Sequence, residues 1–253
     1  MFNWLKFYIV LLMATSLSTQ ASTIVLVDNG ASNYRIVIPN NATAIERKSA
    51  SVLNQYLLEI SGVNLVVVSD EEPLKEKEIL IGQTNRKVAQ PYPSLKNEGL
   101  RIETKGTHLI LQGEGKGTLY AVYTFLEQFL GCRKYTASFK VVPKKQSIKL
   151  PTIKLVENPL LAFRSVYYPD PETDQEYLDW HKLHRIDNEW GLWGHSFDKL
   201  VPAGKYFATH PAYFGLVDGK RKPMQLCMSN SEVLAIATEQ MKQMIEANPS
   251  AKY

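Results

Sequence analysis

Four acidic residues in the C-terminal part of the chain lie near the ends of predicted elements, where a carboxyl group could act as an acid or a base. Asp170 and Asp174 follow a predicted strand, and Asp187 and Glu189 follow a predicted helix. Hydrolysis by acid–base catalysis commonly uses two carboxyl groups that face one bond. Asp170, between two prolines, is also suited to a turn, and Asp174 to the first turn of a helix. The spacing selects no pair, so the catalytic residues are unknown from the sequence.

Four other side chains in this part of the chain are candidates for binding a substrate. Arg164 and Tyr167 lie on a predicted strand, where an arginine can hold a carboxylate through two parallel hydrogen bonds or form an ion pair within the fold. Trp193 and His195 lie in a later loop that contains glycine and several aromatic residues. Aromatic faces cover the apolar side of sugar rings, and an imidazole donates hydrogen bonds. We predict substrate binding by these four residues, with packing of the loop as the alternative for the last two.

No metal or cofactor site is predicted. His181 and His184 are three residues apart on a predicted helix, but neither a third ligand nor an adjacent glutamate accompanies them, which favours packing roles. Gly113, Gly115 and Gly117 match neither spacing of the phosphate-binding glycine motifs. Their spacing favours a tight turn from a strand into a helix.

The composition excludes some classes of protein. The chain has 29 lysines and arginines against 25 acidic residues, a net charge of +4. This mild charge is not the basic stripe of a nucleic-acid-binding protein. The two cysteines, Cys132 and Cys227, lack partners at metal-ligand spacing. We expect each of these cysteines to be a small buried residue. The sequence does not decide whether the two form a disulfide.

The N-terminal segment has the features of a secretory signal peptide, which we place at Met1–Ala21. Lys6 supplies a positive charge, and Phe7–Leu17 is an apolar run of the length typical of these peptides. Thr19 and Ala21 are small residues at the two positions that signal peptidase recognises. The alternative is a membrane anchor, for which the run is short. We therefore expect a secreted or periplasmic protein that makes no contact with the membrane after cleavage.

Residues 22–150 are predicted to form an α+β domain. Thr43 and Glu46 have the spacing of a capping box at a helix start, and Gly62 ends that helix. A second helix runs from about Leu119 to Leu130. Short strands are predicted at Ile24–Val27, Tyr34–Ile38, Val63–Val68, Glu78–Gly82, Leu100–Glu103 and Leu109–Leu111. This order favours a sandwich in which a mixed or antiparallel sheet carries helices on one face, and it disfavours a doubly wound nucleotide fold.

Residues 160–253 are predicted to begin a repeated β/α architecture after a proline-bounded linker at residues 151–159. A strand at Phe163–Tyr168 is followed by a helix, a long loop, a tight turn at Asp218-Gly219 and a final helix after Asn230. A closed (β/α)8 barrel needs about 250 residues, so this block is the start of an incomplete barrel. We therefore expect the chain to be a fragment, or its second domain to be truncated.

Five sequence motifs resemble known families. EILIGQT (Glu78–Thr84) and GEGKGTLYAVYTFLEQFLGCRKYT (Gly113–Thr136) are similar to the N-terminal domain of alpha-glucuronidases and to the domain that precedes the barrel in beta-hexosaminidases. HSFDKLVP (His195–Pro202), HPAYFGLVDGKR (His210–Arg221) and QLCMSNSEV (Gln225–Val233) together resemble the family called domain of unknown function 4838. The resemblance extends over nearly the whole chain after the signal peptide.

The resemblance implies an α+β domain followed by a glycoside-hydrolase-type barrel, with an oligo- or polysaccharide as the substrate. It implies that this chain is the N-terminal part of an exported protein that degrades polysaccharides by hydrolysing O-glycosyl bonds. The catalytic carboxylates of such a barrel would lie beyond Tyr253, so no catalytic residue can be carried over and the chain alone is expected to be inactive. The alternative is a non-catalytic module that binds glycans or has a structural role.

Overall fold

The computed structural model describes residues 24–170, 174–185, 191–192, 194–249 and 251. The predicted signal peptide lies outside the described residues. The strands are β1 (Ile24–Val27), β2 (Arg35–Ile38), β3 (Val67–Ser69), β4 (Glu78–Ile81), β5 (Leu100–Lys105), β6 (His108–Gly113), β7 (Arg133–Lys134), β8 (Lys140–Val141), β9 (Ile148–Leu150), β10 (Lys154–Glu157), β11 (Phe214–Val217) and β12 (Lys220–Leu226). The α-helices are α1 (Ala44–Ser61), α2 (Gly117–Gln128), α3 (Gln175–Trp180), α4 (Phe197–Leu200), α5 (Ala203–Tyr206) and α6 (Ser231–Ala247). None of these helices is long and apolar enough to cross a membrane.

The main sheet has six strands in the order β10-β5-β6-β4-β2-β3. Strand β2 runs parallel to both β3 and β4, and β4 runs parallel to β6. Strands β5 and β6 are neighbours joined by a tight turn at Gly106, which has a φ of 61°. The sequence predicted a mixed or an antiparallel sheet, and these three parallel pairs overturn the purely antiparallel alternative. All four residues of β4 are buried, so both faces of this central strand are covered, which explains its uninterrupted apolar run after Glu78.

Both predicted ends of helix α1 are confirmed. The Thr43 hydroxyl accepts a hydrogen bond from the Glu46 backbone N–H (3.2 Å), and the Glu46 carboxylate accepts one from the Thr43 N–H (2.8 Å). This reciprocal capping box satisfies two amide groups that the helix itself cannot pair. At the other end, Gly62 adopts the left-handed conformation, with a φ of 78°.

The Glu46 side chain also ties the helix start to the turn after β4. Its Oε1 atom accepts a hydrogen bond from the Gln83 N–H (3.1 Å). Gly82, with a φ of 77°, makes room for this contact, because a Cβ atom there would lie 2.0 Å from Glu46 Oε1. The glycine is thus required both for its backbone conformation and for the close approach of the carboxylate.

A buried ion cluster lies at the start of β4, and the sequence did not predict it. The Glu78 carboxylate, which is fully buried, accepts hydrogen bonds from Arg35 Nε (3.0 Å), Arg86 Nε (3.0 Å) and the Lys75 backbone N–H (3.1 Å). Burial by itself would raise the pKa of Glu78, but these donors and the two positive charges outweigh it and hold the pKa below its usual value. The charge of Glu78 is therefore compensated inside the fold.

The chain divides into two compact units. The first unit contains Met1–Pro93, Arg101–Gln112 and Lys144–Val156, and the second contains Ser94–Leu100, Gly113–Pro143 and Glu157–Tyr253. The units thus interleave along the chain, and the domain boundaries at residues 150 and 160 stay a prediction. Lys154–Glu157, placed in the linker by the sequence, forms β10 at one edge of the main sheet.

The predicted first strand of a barrel is not present at Phe163–Tyr168. This segment is irregular and pairs with no strand among the described residues. The Arg164 carbonyl accepts the His184 N–H (2.7 Å), and the Arg164 N–H donates to the His184 side chain instead of to a backbone carbonyl. A β-ladder needs successive residues to pair, so the predicted start of a (β/α)8 barrel is not confirmed.

Other local predictions in the second unit are confirmed. Strands β11 and β12 form an antiparallel hairpin whose turn residues, Asp218 and Gly219, have φ values of 52° and 70°. Asn230 caps α6 by accepting the Glu232 N–H (2.9 Å). One apolar cluster joins β11 and α6 to the end of α4. Its buried members are Leu200, Val201, Tyr213, Phe214 and Val233.

Candidate functional site

The predicted site residue Arg164 lies in a partly buried polar cluster of the second unit. Arg164 and His184 are joined through the backbone and through the imidazole, whose Nδ1 atom accepts the Arg164 N–H (3.1 Å). His184 Nε2 lies 2.7 Å from Glu98 Oε2. Because Nδ1 accepts a hydrogen bond, the ring carries its proton on Nε2 and donates it to the carboxylate. The ring also stacks on Phe163, with centroids 5.4 Å apart.

Each nitrogen of the Arg164 guanidinium donates a hydrogen bond within this cluster. Its Nε donates to the Lys182 carbonyl (2.8 Å), Nη1 to the Leu161 carbonyl (2.7 Å) and Nη2 to Glu98 Oε2 (2.9 Å). The central guanidinium carbon of Arg164, Cζ, lies 6.0 Å from the centre of the Tyr120 ring. An external carboxylate would have to displace these contacts, so Arg164 acts here as a positioning residue that holds the segment around it.

Glu98 is the charged centre of the cluster. Burial opposes its ionisation, but the hydrogen bond from His184 and the positive charges of Arg164 and Lys116 outweigh burial and hold the pKa of Glu98 below its usual value. The carboxylate is therefore ionised at neutral pH. Burial and the negative charge of Glu98 in turn raise the pKa of the Tyr120 hydroxyl. Asn97 and Glu98 both have positive φ values, 53° and 60°, an uncommon conformation for residues with side chains.

The other predicted site residues do not join this cluster. Tyr167 is 81 % exposed, three residues after Arg164. His195 is exposed and follows Gly194, whose φ is 59°. Neither residue is among the contacts of Arg164. Trp193 lies outside the described residues. The substrate-binding role assigned to these residues stays a prediction.

The candidate acids after Tyr168 have structural contacts. Asp170 Oδ1 accepts the Ala137 N–H (2.9 Å). Asp174 caps α3 by accepting the Glu176 N–H (2.9 Å) and forms an ion pair with Lys134. Burial would raise the pKa of Asp174, but the contacts with Lys134 and the helix amides outweigh it and lower the pKa. Asp187 and Glu189, the other two candidate acids, lie outside the described residues.

Sequence reasoning missed two acids of the second unit, the partly buried Glu98 and the buried Asp179. Glu98 is 66 residues from Arg164 along the chain, and no motif links them. Asp179, only 1 % exposed, accepts a hydrogen bond from Gln175 Nε2 (3.0 Å) within α3. The sequence did contain a signal for Asp179, because it is a carboxylate within the otherwise apolar stretch Tyr177–Trp180. An acid on the buried face of a helix is unusual.

The histidine and cysteine predictions concern local packing. His181 Nε2 lies 2.9 Å from the Lys134 carbonyl, and its ring packs on Tyr177 with centroids 4.4 Å apart. Within the described part of the chain, no group of three or more potential ligands could hold a metal ion.

Cys132 and Cys227 are free thiols, the first buried and the second partly exposed, so the disulfide left open by the sequence does not form.

The described residues thus define a mixed α/β protein of two compact units, the second of which contains a charged, partly buried positioning cluster. Residues 134–253, which include most of the second unit, match the family model described as "Domain of unknown function (DUF4838)". The resemblance predicted from the motifs is therefore confirmed for this segment. A search of the curated proteins found no match.

Several solved structures are similar to the chain, and those named here are glycoside hydrolases. A family GH115 4-O-methyl-alpha-glucuronidase with specificity for decorated arabinogalactans shares 12% identity over 89% of this chain and 41% of its own, with a TM-score of 0.49. A GH20 beta-N-acetylhexosaminidase from Streptomyces coelicolor A3(2) shares 14% identity over 87% of this chain and 42% of its own, with a TM-score of 0.44. The chain spans less than half the length of these two structures.

Proposed function

We propose that the chain is the N-terminal part of an exported, glycoside-hydrolase-like protein that takes part in polysaccharide degradation. In this proposal the second unit contacts an oligo- or polysaccharide. Residues outside this segment would carry the hydrolysis of O-glycosyl bonds. The sequence motifs shared with alpha-glucuronidases, beta-hexosaminidases and the DUF4838 family support this class of substrate.

The observation that carries the proposal is the exposed ring of Tyr167 on an anchored segment. Glu98, His184 and Arg164 hold the backbone three residues before it through hydrogen bonds of 2.7–3.1 Å. Tyr167 itself is 81 % exposed. A tyrosine ring offers an apolar face to a pyranose and a hydroxyl for hydrogen bonding, and little conformational freedom is lost when its backbone is already held.

Glycan binding by a Tyr167→Ala variant tests this proposal. The purified chain would be applied to an array of plant and host polysaccharides, and the affinity for the best ligand measured by titration. We expect the substitution to weaken binding about tenfold or more, which corresponds to about 1.4 kcal/mol. Tyr135→Ala is the matched control, since Tyr135 is 57 % exposed in the same unit and should not affect binding. Equal binding by Tyr167→Ala and the unchanged chain would contradict the proposal.

A non-catalytic glycan-binding module is the second candidate, favoured by the structural contacts of Asp170 and Asp174. Both candidates predict that this chain alone does not hydrolyse aryl glycosides, and measurable turnover would overturn that expectation. They differ in the residues that follow in the parent protein. Two acids whose removal abolishes hydrolysis by the parent would support the enzyme, and a parent without hydrolytic activity would support the module.

A further inference from the structure

A cleft of about 540 Å³ lies in the first unit, and its lining residues include none of the predicted substrate contacts. One side is a face of helix α1 marked by Arg47, Ser51 and Leu58. Spacings of four and seven residues keep these side chains on one side of a helix. The other side includes Asn64 and Val67, the latter in β3 at the edge of the main sheet.

Arg47 is the one charged side chain among the described residues that line the cleft. It is exposed, and one of its guanidinium nitrogens donates to the Ala42 carbonyl. It forms no ion pair within the described ranges. An arginine with remaining N–H donors and no acid beside it favours an anionic ligand, and its planar shape matches a carboxylate.

Two side-chain amides in the cleft are also available to a ligand. Gln55 and Asn64 are exposed, and neither side chain forms a hydrogen bond with another described residue. Asn54 differs, because its amide is saturated by the Leu65 backbone through bonds of 2.7 and 2.9 Å. Amides that both donate and accept are suited to sugar hydroxyl groups.

Apolar surface completes the cleft. Leu58 is 50 % exposed and Val67 is 40 % exposed, although both are large aliphatic residues next to a polar helix face. Ile38 of β2 also lines the cleft and is partly buried. An apolar wall with a few polar groups is the usual composition of a small-molecule site.

We propose that this cleft binds an acidic saccharide through the carboxylate of a uronic acid. Arg47 pairs with the carboxylate, Gln55 and Asn64 bind ring hydroxyls, and Leu58 and Val67 cover the apolar face of the ring. The proposal rests on the proposed function only for the class of ligand, a saccharide. It adds a second binding site to the proposed function and specifies that the ligand of this site is negatively charged.

An extended acidic peptide added to the edge strand β3 is the rival occupant. Strand β3 has three residues, Val67–Ser69, and offers a short backbone edge. Arg47 forms no ion pair within the described ranges, and the side chains of Gln55 and Asn64 form no hydrogen bond there. One anionic sugar with several hydroxyl groups matches these three side chains better than a peptide does. Binding of a peptide is therefore an outcome that the experiment must distinguish.

Calorimetric titration of the purified full chain with trigalacturonate tests the proposal. We expect binding that weakens as salt is added and that falls at least tenfold in Arg47→Gln. The fully methyl-esterified trimer, which lacks the charge, should bind at least tenfold more weakly than the acid. A Leu58→Ala variant should also weaken binding, because it removes the apolar wall without changing charge.

Matched controls separate the site from general electrostatics. Lys105→Gln removes one positive charge from an exposed residue of the same unit outside the cleft, and should leave the affinity within twofold. Thermal unfolding of each variant checks the fold. Equal affinity of the acid and the methyl ester, no effect of Arg47→Gln, or the same loss in Lys105→Gln would overturn the proposal. Arg47-dependent binding of a hexaglutamate peptide or a sulfated disaccharide without binding of trigalacturonate would overturn it as well.

The two proposals fail separately. Tyr167→Ala should leave trigalacturonate binding at the cleft unchanged, because Tyr167 belongs to the second unit. Loss of the Tyr167-dependent array signal with intact Arg47-dependent binding would therefore contradict the proposed function alone. An intact Tyr167-dependent signal with no binding at the cleft would contradict the acidic-saccharide site alone.

Discussion

At the scale of single residues, the charge of Glu98 organises the second unit. Its carboxylate joins Arg164, in an irregular segment, to His184, which follows α3. Both ring nitrogens of His184 and each guanidinium nitrogen of Arg164 already form hydrogen bonds in the cluster, so a substrate carboxylate would have to compete with these contacts. The cluster therefore makes the position of Tyr167, rather than Arg164 itself, the feature that binding should depend on.

Removing the charge of Glu98 should destabilise the protein. Glu98→Gln leaves Arg164 and His184 with one weaker acceptor, and we expect a loss of about 1–3 kcal/mol in the free energy of unfolding at pH 7. Denaturant unfolding measures it. Glu72→Gln, at an exposed position, is the control and should change the free energy by less than about 0.5 kcal/mol. Equal losses in the two variants would show that the cluster contributes nothing.

The same residue should make stability depend on pH. The pKa of Glu98 is lower in the folded chain than the unperturbed value of about 4.3, so its contribution is complete above that value and is lost as the pH falls through the folded pKa. The difference in unfolding free energy between the unchanged chain and Glu98→Gln should therefore shrink on acidification from pH 6 to pH 3. A difference that stays constant over this range would contradict the assignment.

At the scale of elements, helix α1 depends on a contact outside the helix. Its capping residue Glu46 binds Thr43 on one side and the backbone of Gln83 on the other. The turn after β4 must come close enough for this bond, and Gly82 permits the approach. The start of the helix and the end of the central strand are therefore stabilised together.

Alanine at Gly82 should reveal this coupling. Gly82→Ala adds backbone strain of about 1–2 kcal/mol at a φ of 77° and displaces the Glu46 cap, which is worth about 1 kcal/mol more. Gly30→Ala is the matched control, because Gly30 has a φ of 76° and open space around its Cβ position. Chemical denaturation should show the greater loss for Gly82→Ala. Equal losses would mean that strain alone acts and that the cap is not displaced.

At the scale of the whole molecule, export and glycan binding form one hypothesis. The N-terminal segment predicts secretion, residues 134–253 match the DUF4838 model, and we propose one saccharide contact in each compact unit. The predicted cleavage site is the part of this hypothesis that can be measured most directly.

Cleavage after Ala21 should give a mature chain that begins at Ser22. Expression of the full sequence in a secreting bacterial host, followed by intact-mass analysis of the exported fraction, measures the N-terminus. Ala21→Arg should block processing, because signal peptidase requires a small residue at that position. An exported chain that retains Met1, or a chain found only in the cytoplasm, would contradict the signal-peptide assignment.

Features that depend on neighbours in the chain could be predicted well. The capping box at Thr43 and Glu46, the helix end at Gly62 and the turn at Asp218-Gly219 are all decided within a few residues, because each satisfies its own backbone groups locally. Asn230 was likewise placed correctly at the start of α6. Such signals are reliable because no distant partner has to be known.

Features that depend on distant partners could not be predicted. Phe163–Tyr168 has the composition of a strand, yet no neighbouring strand pairs with it among the described residues. Lys154–Glu157 was placed in a linker because of nearby prolines, yet it pairs at the edge of the main sheet. Strand pairing is non-local, so composition alone cannot decide whether an extended segment joins a sheet.

The sequence by itself therefore determined the capped helix, the hairpin turn and the match of the C-terminal segment to a family. Only the tertiary structure decided the role of charge. It placed Glu98 between Arg164 and His184, buried Glu78 between two arginines, and left Arg47 unpaired in a cleft. The physical reason is that an ion pair or a cleft is made by residues far apart in the chain, and their chemistry depends on distances that appear only after folding.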